Sequence, residues 1–303
     1  MNLKGRDIIS INDLNKQEIV HILDVAKSFE KGYKRNKLSG KILATLFFEP
    51  STRTRLSFES AMQSLGGRVI GFADKEVSSF KKGESLADTI KIVEKYCDVI
   101  VIRHFLDGSA RLAADVASIP VINAGDGANQ HPTQTLLDLY AIKQAQGVIS
   151  KLNVALVGDL KYGRTVHSLA VALALFQCNL YLVSPESLSM PSHILSSLKE
   201  QGVAFFEHSG VEEVIGKADI IYATRIQRER FADALEYERV RSTYVLKKSS
   251  FKNAKKNLKV LHPLPRVDEI SISVDGLPYA YYFEQARCGI PVRQALLSMV
   301  LGK

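Results

Sequence analysis

The sequence predicts an α/β protein with two Rossmann-like α/β domains, each built on a parallel sheet, and an active-site cleft between the domains. Three observations carry this expectation. Apolar, β-branched runs alternate with helical patterns along almost the whole chain, as they do where crossover helices join parallel strands. At 303 residues and 46% hydrophobic, the chain can fill two cores more comfortably than one. Several strand-like runs end directly in arginine, histidine or hydroxyl residues, and ligands of such folds gather at the carboxyl ends of strands.

Taken in order, residues 12–29 pattern as an amphipathic helix, with Ile19, Ile22, Leu23 and Ala26 on one stripe and Asn12 or Asn15 suited to cap it. Strands are expected at 42–48, 98–102, 120–122, 153–158, 180–183, 203–206, 219–223 and 258–261. Helical periodicity fills 52–65, 85–96, 109–117, 133–146, 164–177, 192–201 and 211–217. A fresh strand begins at Leu152, so the boundary is set near Gly147 to Lys151, giving a first domain over 1–149 and a second over 150–288. The last segment, 289–303, is read as a C-terminal helix over 292–301 that packs back on the first domain.

Composition narrows the function classes. The net charge of +8 suits anionic partners. Much of the excess lies in Lys247, Lys248, Lys252, Lys255, Lys256 and Lys259, which match no nucleic-acid module, so a solvated face is expected and no nucleic-acid partner. Cys97, Cys178 and Cys288 stand far apart without a C-x-x-C pair, which favours a reducing, cytoplasmic setting. No apolar run reaches the roughly 18 residues of a membrane span. The loop Gly158-Asp159-Leu160-Lys161-Tyr162-Gly163 lacks the G-x-G-x-x-G fingerprint, so no dinucleotide cofactor is expected. His131 and His262 lack zinc-like partner spacing, and no G-x-S-x-G elbow is present, so neither a metal nor a serine hydrolase is expected.

The candidate site residues sit where strands give way to helices. Phe47-Phe48-Glu49-Pro50-Ser51-Thr52-Arg53-Thr54-Arg55 breaks from a strand into hydroxyls and arginines as a helix starts, and a helix N-terminus offers unpaired N–H groups and partial positive charge to an anion. Arg103-His104 follows another strand, and His131 and Gln134 stand three apart at a helix start. Such a set of hydroxyl, guanidinium and imidazole donors suits acyl transfer from a phosphate leaving group, because it stabilises oxyanion charge more than the ground state. Lys81 and Lys82 lie on a polar segment that could close over a ligand. Arg164 opens a helix, and Arg225 and Gln227 follow a strand; two separated guanidinium groups suit a dicarboxylate. In His262-Pro263-Leu264-Pro265-Arg266 the prolines remove donors, leaving the carbonyls of Leu264 and Pro265 to accept from an amine or amide. Taken singly, each of these arginines and histidines is about as readily explained by a surface ion pair or a helix cap.

Taken together, Phe48-Glu49-Pro50-Ser51-Thr52-Arg53-Thr54-Arg55, Lys82-Gly83-Glu84, Arg103-His104, His131-Pro132-Thr133-Gln134, Gly158 to Arg164, Thr224 to Gln227 and His262 to Arg266 make the chain resemble the aspartate/ornithine carbamoyltransferase family over nearly its whole length. Pro263 stands where the ornithine branch carries a cysteine, which turns the resemblance towards the aspartate branch.

The resemblance implies transfer of the carbamoyl group of carbamoyl phosphate to the α-amine of L-aspartate, a committed step of pyrimidine biosynthesis. On matching positions it implies that Ser51, Thr52, Arg53, Thr54 and Arg103 hold the phosphate, while Thr54, Arg103 and His131 polarise the carbamoyl oxygen. Gln134 and the carbonyls of Leu264 and Pro265 would orient the carbamoyl NH2 and the attacking amine. Lys82, Arg164, Arg225 and Gln227 would bind aspartate, and Glu49 would bridge to Arg164 and Arg230 in a closed form. It further implies a homotrimer with shared active sites, the segment 78–82 reaching in from a neighbouring subunit, and leaves room for a regulatory chain in a larger assembly.

Overall fold

The computed structural model describes residues 3–32, 36–73, 83–226, 228, 235, 237 and 244–303. Lys82 and Gln227, and the segment 78–82, lie outside them. By its internal contacts the chain forms two compact units, Met1–Leu137 with Cys288–Lys303 and Asp138–Arg287.

In the first unit, β1 (Ile42–Phe47), β2 (Arg68–Phe72), β3 (Val99–His104) and β4 (Val121–Asp126) form a parallel sheet in the order β2-β1-β3-β4. β1, β3 and β4 are buried almost throughout, as expected of parallel strands covered on both faces. Helices α1 (Lys16–Glu30), α2 (Thr52–Ser64), α3 (Leu86–Val93), α4 (Ser109–Val116) and α5 (Pro132–Gln146) follow along the chain. Asn15 is the cap of α1: its side chain accepts from Glu18 N–H, and the Glu18 carboxylate accepts from Asn15 N–H. Asn12 instead lies in a separate 3-10 turn, Ile11–Asp13.

The second unit carries β5 (Asn153–Val157), β6 (Asn179–Val183), β7 (Phe205–His208), β8 (Ile220–Ala223) and β9 (Lys259–Leu261), again parallel, in the order β7-β6-β5-β8-β9. Helices α6 (Arg164–Ala174), α7 (Ser192–Glu200) and α8 (Tyr282–Arg287) belong to it. Its core gathers Ala155, Val157, Ile221, Leu246, Leu258, Val260 and Tyr282. The final helix α9 (Gly289–Val300) belongs to the first unit and packs against α1 and α2, with the Arg293 guanidinium 4.9 Å from the Phe58 ring centroid.

Several elements differ from the sequence reading. β2 was not expected: it is short, half-exposed and interrupted by Gly71, whose φ of +150° and close approach to the Thr45 carbonyl leave no room for a Cβ. The helical pattern at 211–217 resolves into a 3-10 turn, Val211–Glu213, because its period is too short to propagate a helix. β7 starts two residues later than expected, and α8 has only six residues, too few to show a period.

Candidate active site

The first unit assembles its candidates at the carboxyl ends of β1, β3 and β4. Ser51 is the N-cap residue of α2, yet its side chain makes no capping hydrogen bond, so its hydroxyl is not consumed by the helix it starts. Thr52 and Arg53 are exposed in the first turn and Thr54 is buried. Partial burial of its guanidinium lowers the Arg53 pKa from the ordinary arginine value. Arg55 is different. Its Nε donates to Glu59 Oε1 at 2.7 Å, so the second arginine of the motif serves the helix.

The sheet fixes Arg103. It pairs with Phe47 across β1–β3, its carbonyl accepts Phe48 N–H at 2.8 Å, its Nη1 donates to the Ala124 carbonyl at 3.2 Å, and its Nη2 lies 3.2 Å from Glu49. His104 follows, stacked on Phe105 and packed against Phe48; Leu106 N–H donates to its Nδ1 at 3.0 Å, and burial lowers its pKa. A neutral ring with its proton on Nε2 follows from that bond.

The loop leading to His131 is shaped by a carboxylate that sequence reading did not single out. Buried Asp126 accepts from Gly108 N–H at 2.9 Å, Gln130 N–H at 3.1 Å, Asn123 Nδ2 at 2.8 Å and Asn129 Nδ2 at 3.0 Å. Four donors on two lone-pair-rich oxygens leave little freedom for the chain that carries His131 into α5. His131 and Gln134 are both buried at the start of that helix, with Pro132 in its first position.

In the second unit, β5 ends in a loop wound around buried Asp159, whose Oδ1 accepts from Lys161 and Tyr162 N–H, and this loop delivers Arg164 to the first position of α6. Gly158 is required there: at φ +115° a Cβ would stand 2.5 Å from the Thr224 carbonyl of the next strand end. After β8, Arg225 lines a pocket with Ile226, Tyr237, Val267, Asp268 and Glu269.

The turn after β9 leads into Val267, Asp268 and Glu269 of that pocket. Leu264 takes a left-handed φ of +56°, unfavourable for a side chain with a Cβ, and the Leu264–Pro265 peptide is cis. His262 Nδ1 accepts from Leu264 N–H at 2.8 Å, so its Nε2 carries the proton and donates to Glu269 at 2.7 Å. Burial raises the Glu269 pKa, but the bonds from His262 and the turn outweigh it and hold the carboxyl below its ordinary value. Arg266 is turned away from the pocket, paired with Asp275 and with its guanidinium 5.2 Å from the Tyr282 ring. Asp126, Asp159 and Glu269 were the members the sequence did not yield; each is one acidic residue among many, and only the donors the fold gathers around it give it meaning.

The comparisons with known proteins agree with this layout. The family description "Aspartate/ornithine carbamoyltransferase, carbamoyl-P binding domain" matches residues 6–144, and "Asp/Orn binding domain" of the same family matches 150–300. The aspartate carbamoyltransferase catalytic subunit of Thermococcus kodakarensis is 60% identical over all of this chain and 99% of its own length, and that of Bacteroides fragilis is 54% identical over 99% and 98%. The catalytic subunit of M. jannaschii aspartate transcarbamoylase superposes with a TM-score of 0.92 at 50% identity, covering 98% of each chain. Aspartate transcarbamoylase from Trypanosoma cruzi, solved with N-(phosphonacetyl)-L-aspartic acid, superposes with a TM-score of 0.93 at 41% identity over 99% of this chain and 97% of its own. With two parallel α/β units, both family halves matched and full-length relatives above half identity, the chain belongs to the aspartate/ornithine carbamoyltransferase family.

Proposed function

We propose that the chain transfers the carbamoyl group of carbamoyl phosphate to the α-amine of L-aspartate, giving N-carbamoyl-L-aspartate and phosphate for pyrimidine biosynthesis. The observation that carries this reading is the gathering of Ser51, Thr52, Arg53, Thr54, Arg103 and His131 at adjoining strand ends in the first unit, with Arg103 held by a backbone carbonyl. It is supported by the names of the full-length relatives and by the ligands of the T. cruzi structures, which include carbamoyl phosphate and aspartate.

In this reading residues 1–149 bind carbamoyl phosphate, 150–288 bind aspartate, and 289–303 form the helix that completes the first domain. The hydroxyls and α2 N–H groups take the phosphate oxygens, and Arg53 and Arg103 balance their charge. Thr54, Arg103 and His131 meet the carbamoyl oxygen, where charge grows as the amine attacks; donors held before the reaction cost no reorganisation during it. Gln134 and the carbonyls of Leu264 and Pro265 hold the carbamoyl NH2 and the amine, while Lys82, Arg164, Arg225 and Gln227 take the two carboxylates. The attacking amine is neutral. As the C–O bond to phosphate breaks, the departing phosphate takes the amine proton, so no side-chain base is needed.

A homotrimer with shared sites is proposed, since the segment bearing Lys82 would be supplied by a neighbouring copy, and a regulatory chain would bind outside the site. A cytoplasmic setting is supported by the wide spacing of Cys97, Cys178 and Cys288 along the chain, without a C-x-x-C pair. Among the described residues no helix is long and apolar enough to cross a membrane. Steady-state product formation by the purified chain, with aspartate, ornithine and other amino acids as acceptors, tests the reading. Carbamoyl aspartate as sole product supports it, and turnover with ornithine in preference to aspartate overturns it.

A further inference from the structure

We propose that Glu269 is a positioning residue of the reaction, acting through His262 to fix the turn that presents the Leu264 and Pro265 carbonyls. The inference rests on the functional reading above and deepens it.

Glu269 is buried, and its carboxylate meets donors on every side: His262 Nε2 at 2.7 Å, Val267 N–H at 3.2 and 3.3 Å, and Asp268 N–H at 3.1 Å. His262 is buried as well and has no choice of tautomer, because its Nδ1 must accept Leu264 N–H at 2.8 Å. Its backbone N–H is held in turn by Gln285 Oε1 at 2.7 Å, and Gln285 Nε2 donates to Asp138 at 2.6 Å, which also accepts from the Tyr222 hydroxyl at 2.8 Å. All five side chains are buried. A network of hydrogen bonds therefore runs from the core of the second unit to the turn, with Asp138 accepting at its inner end.

An acceptor-only group is required at position 269. Glutamine has nearly the same shape but one donor end. If its oxygen accepts from His262, its NH2 faces Val267 and Asp268 N–H. If it flips, its NH2 donates to His262 Nε2, the ring proton moves to Nδ1, and that N–H then faces Leu264 N–H. Either way two donors oppose one another inside the protein, and the turn must move to separate them. Leu264 already sits at a left-handed φ that only its surroundings maintain, so movement there displaces the two carbonyls.

The test compares the wild type with Glu269→Gln and His262→Asn. Asparagine keeps an acceptor near the Nδ1 position but cannot reach Glu269, so the two variants break the same link from opposite ends. For both we expect kcat to fall about tenfold or more, with binding of inorganic phosphate, a first-unit ligand, unchanged. In wild type the His262 15N shifts should show protonated Nε2 and unprotonated Nδ1; in Glu269→Gln they should move. Circular dichroism and the thermal midpoint confirm that the variants are folded. Wild-type turnover matched by both folded variants, or an Nδ1-protonated ring in the wild type, overturns the inference and leaves the functional reading standing. Absence of carbamoyl aspartate formation by the wild type overturns both.

Discussion

β3 in the first unit and β8 in the second hold corresponding places, and the same devices flank them. Asp98, one residue before β3, accepts Ile42 N–H at 2.8 Å and Lys41 Nζ at 2.6 Å. Asp219, one residue before β8, accepts Asn153 N–H at 3.0 Å and Lys255 Nζ at 2.7 Å. Each ties the entrance of its strand to the start of the neighbouring one. At the far end each strand runs into an arginine, Arg103 or Arg225. There the likeness stops: the Arg103 side chain is 11% exposed and pinned to a strand carbonyl, whereas Arg225 opens onto a pocket beside the His262 turn. The entrances of the strands are tied alike, and in the proposed reading the exits serve two ligands of different shape.

The largest effects should come from breaking the exits. Arg103→Ala removes the donor proposed for both phosphate and carbamoyl oxygen, so kcat should fall about 100- to 1,000-fold while the thermal midpoint moves little. Arg225→Ala should act mainly on the second substrate, raising the aspartate KM about tenfold or more with a smaller change in kcat. Full kinetics with both substrates varied check the pair. If the two variants raise both Michaelis constants equally, the proposed division of labour between the strand ends is wrong.

A middle-sized effect sharpens the comparison from behind the site. Asp126→Asn replaces one carboxylate oxygen by a donor that must face Gly108 or Gln130 N–H, a mismatch costing about 1–3 kcal/mol. Because that loop carries His131, kcat should fall about tenfold as well. Stability measured by denaturant, alongside kcat, would show both losses; a stability loss alone would confine Asp126 to a structural role.

These carboxylates mark what the sequence could and could not reveal. Strands such as 99–102 and 154–157 are continuous apolar runs because both faces are covered, and that burial is written directly into residue type. Ser51 to Thr54, Arg103 and Arg225 stand out as candidates because hydroxyls and guanidinium groups are conspicuous where an apolar run stops. Asp126, Asp159 and Glu269 do not, since their partners are mostly backbone N–H groups, which every residue but proline carries. Arg55 shows the converse: its partner Glu59 is one helical turn away, and charge alone does not say whether an arginine faces a ligand or its own helix. β2 escaped because an edge strand with a glycine has neither a buried run nor a clean alternation.

The smallest predicted effect returns to the strand entrances, where the two units should behave alike. Burial raises the pKa of Asp98, but Lys41 and Ile42 N–H outweigh it, and the net shift is downward; at Asp219 the same contest with Lys255, Asn153 and Asn257 ends the same way. A carboxyl whose folded pKa is depressed adds stability above its ordinary value of 3.8 and loses that contribution as pH falls through the folded value. Both groups should therefore contribute fully at neutral pH and fade only in acid below that value. Asp98→Asn and Asp219→Asn should each lower the neutral-pH thermal midpoint slightly and flatten the acid limb of the stability curve, with activity per folded molecule unchanged. Acid unfolding followed by circular dichroism checks this. A loss of activity in either variant would mean that the strand entrances are not insulated from the exits, and the parallel between β3 and β8 would then extend to function at both ends.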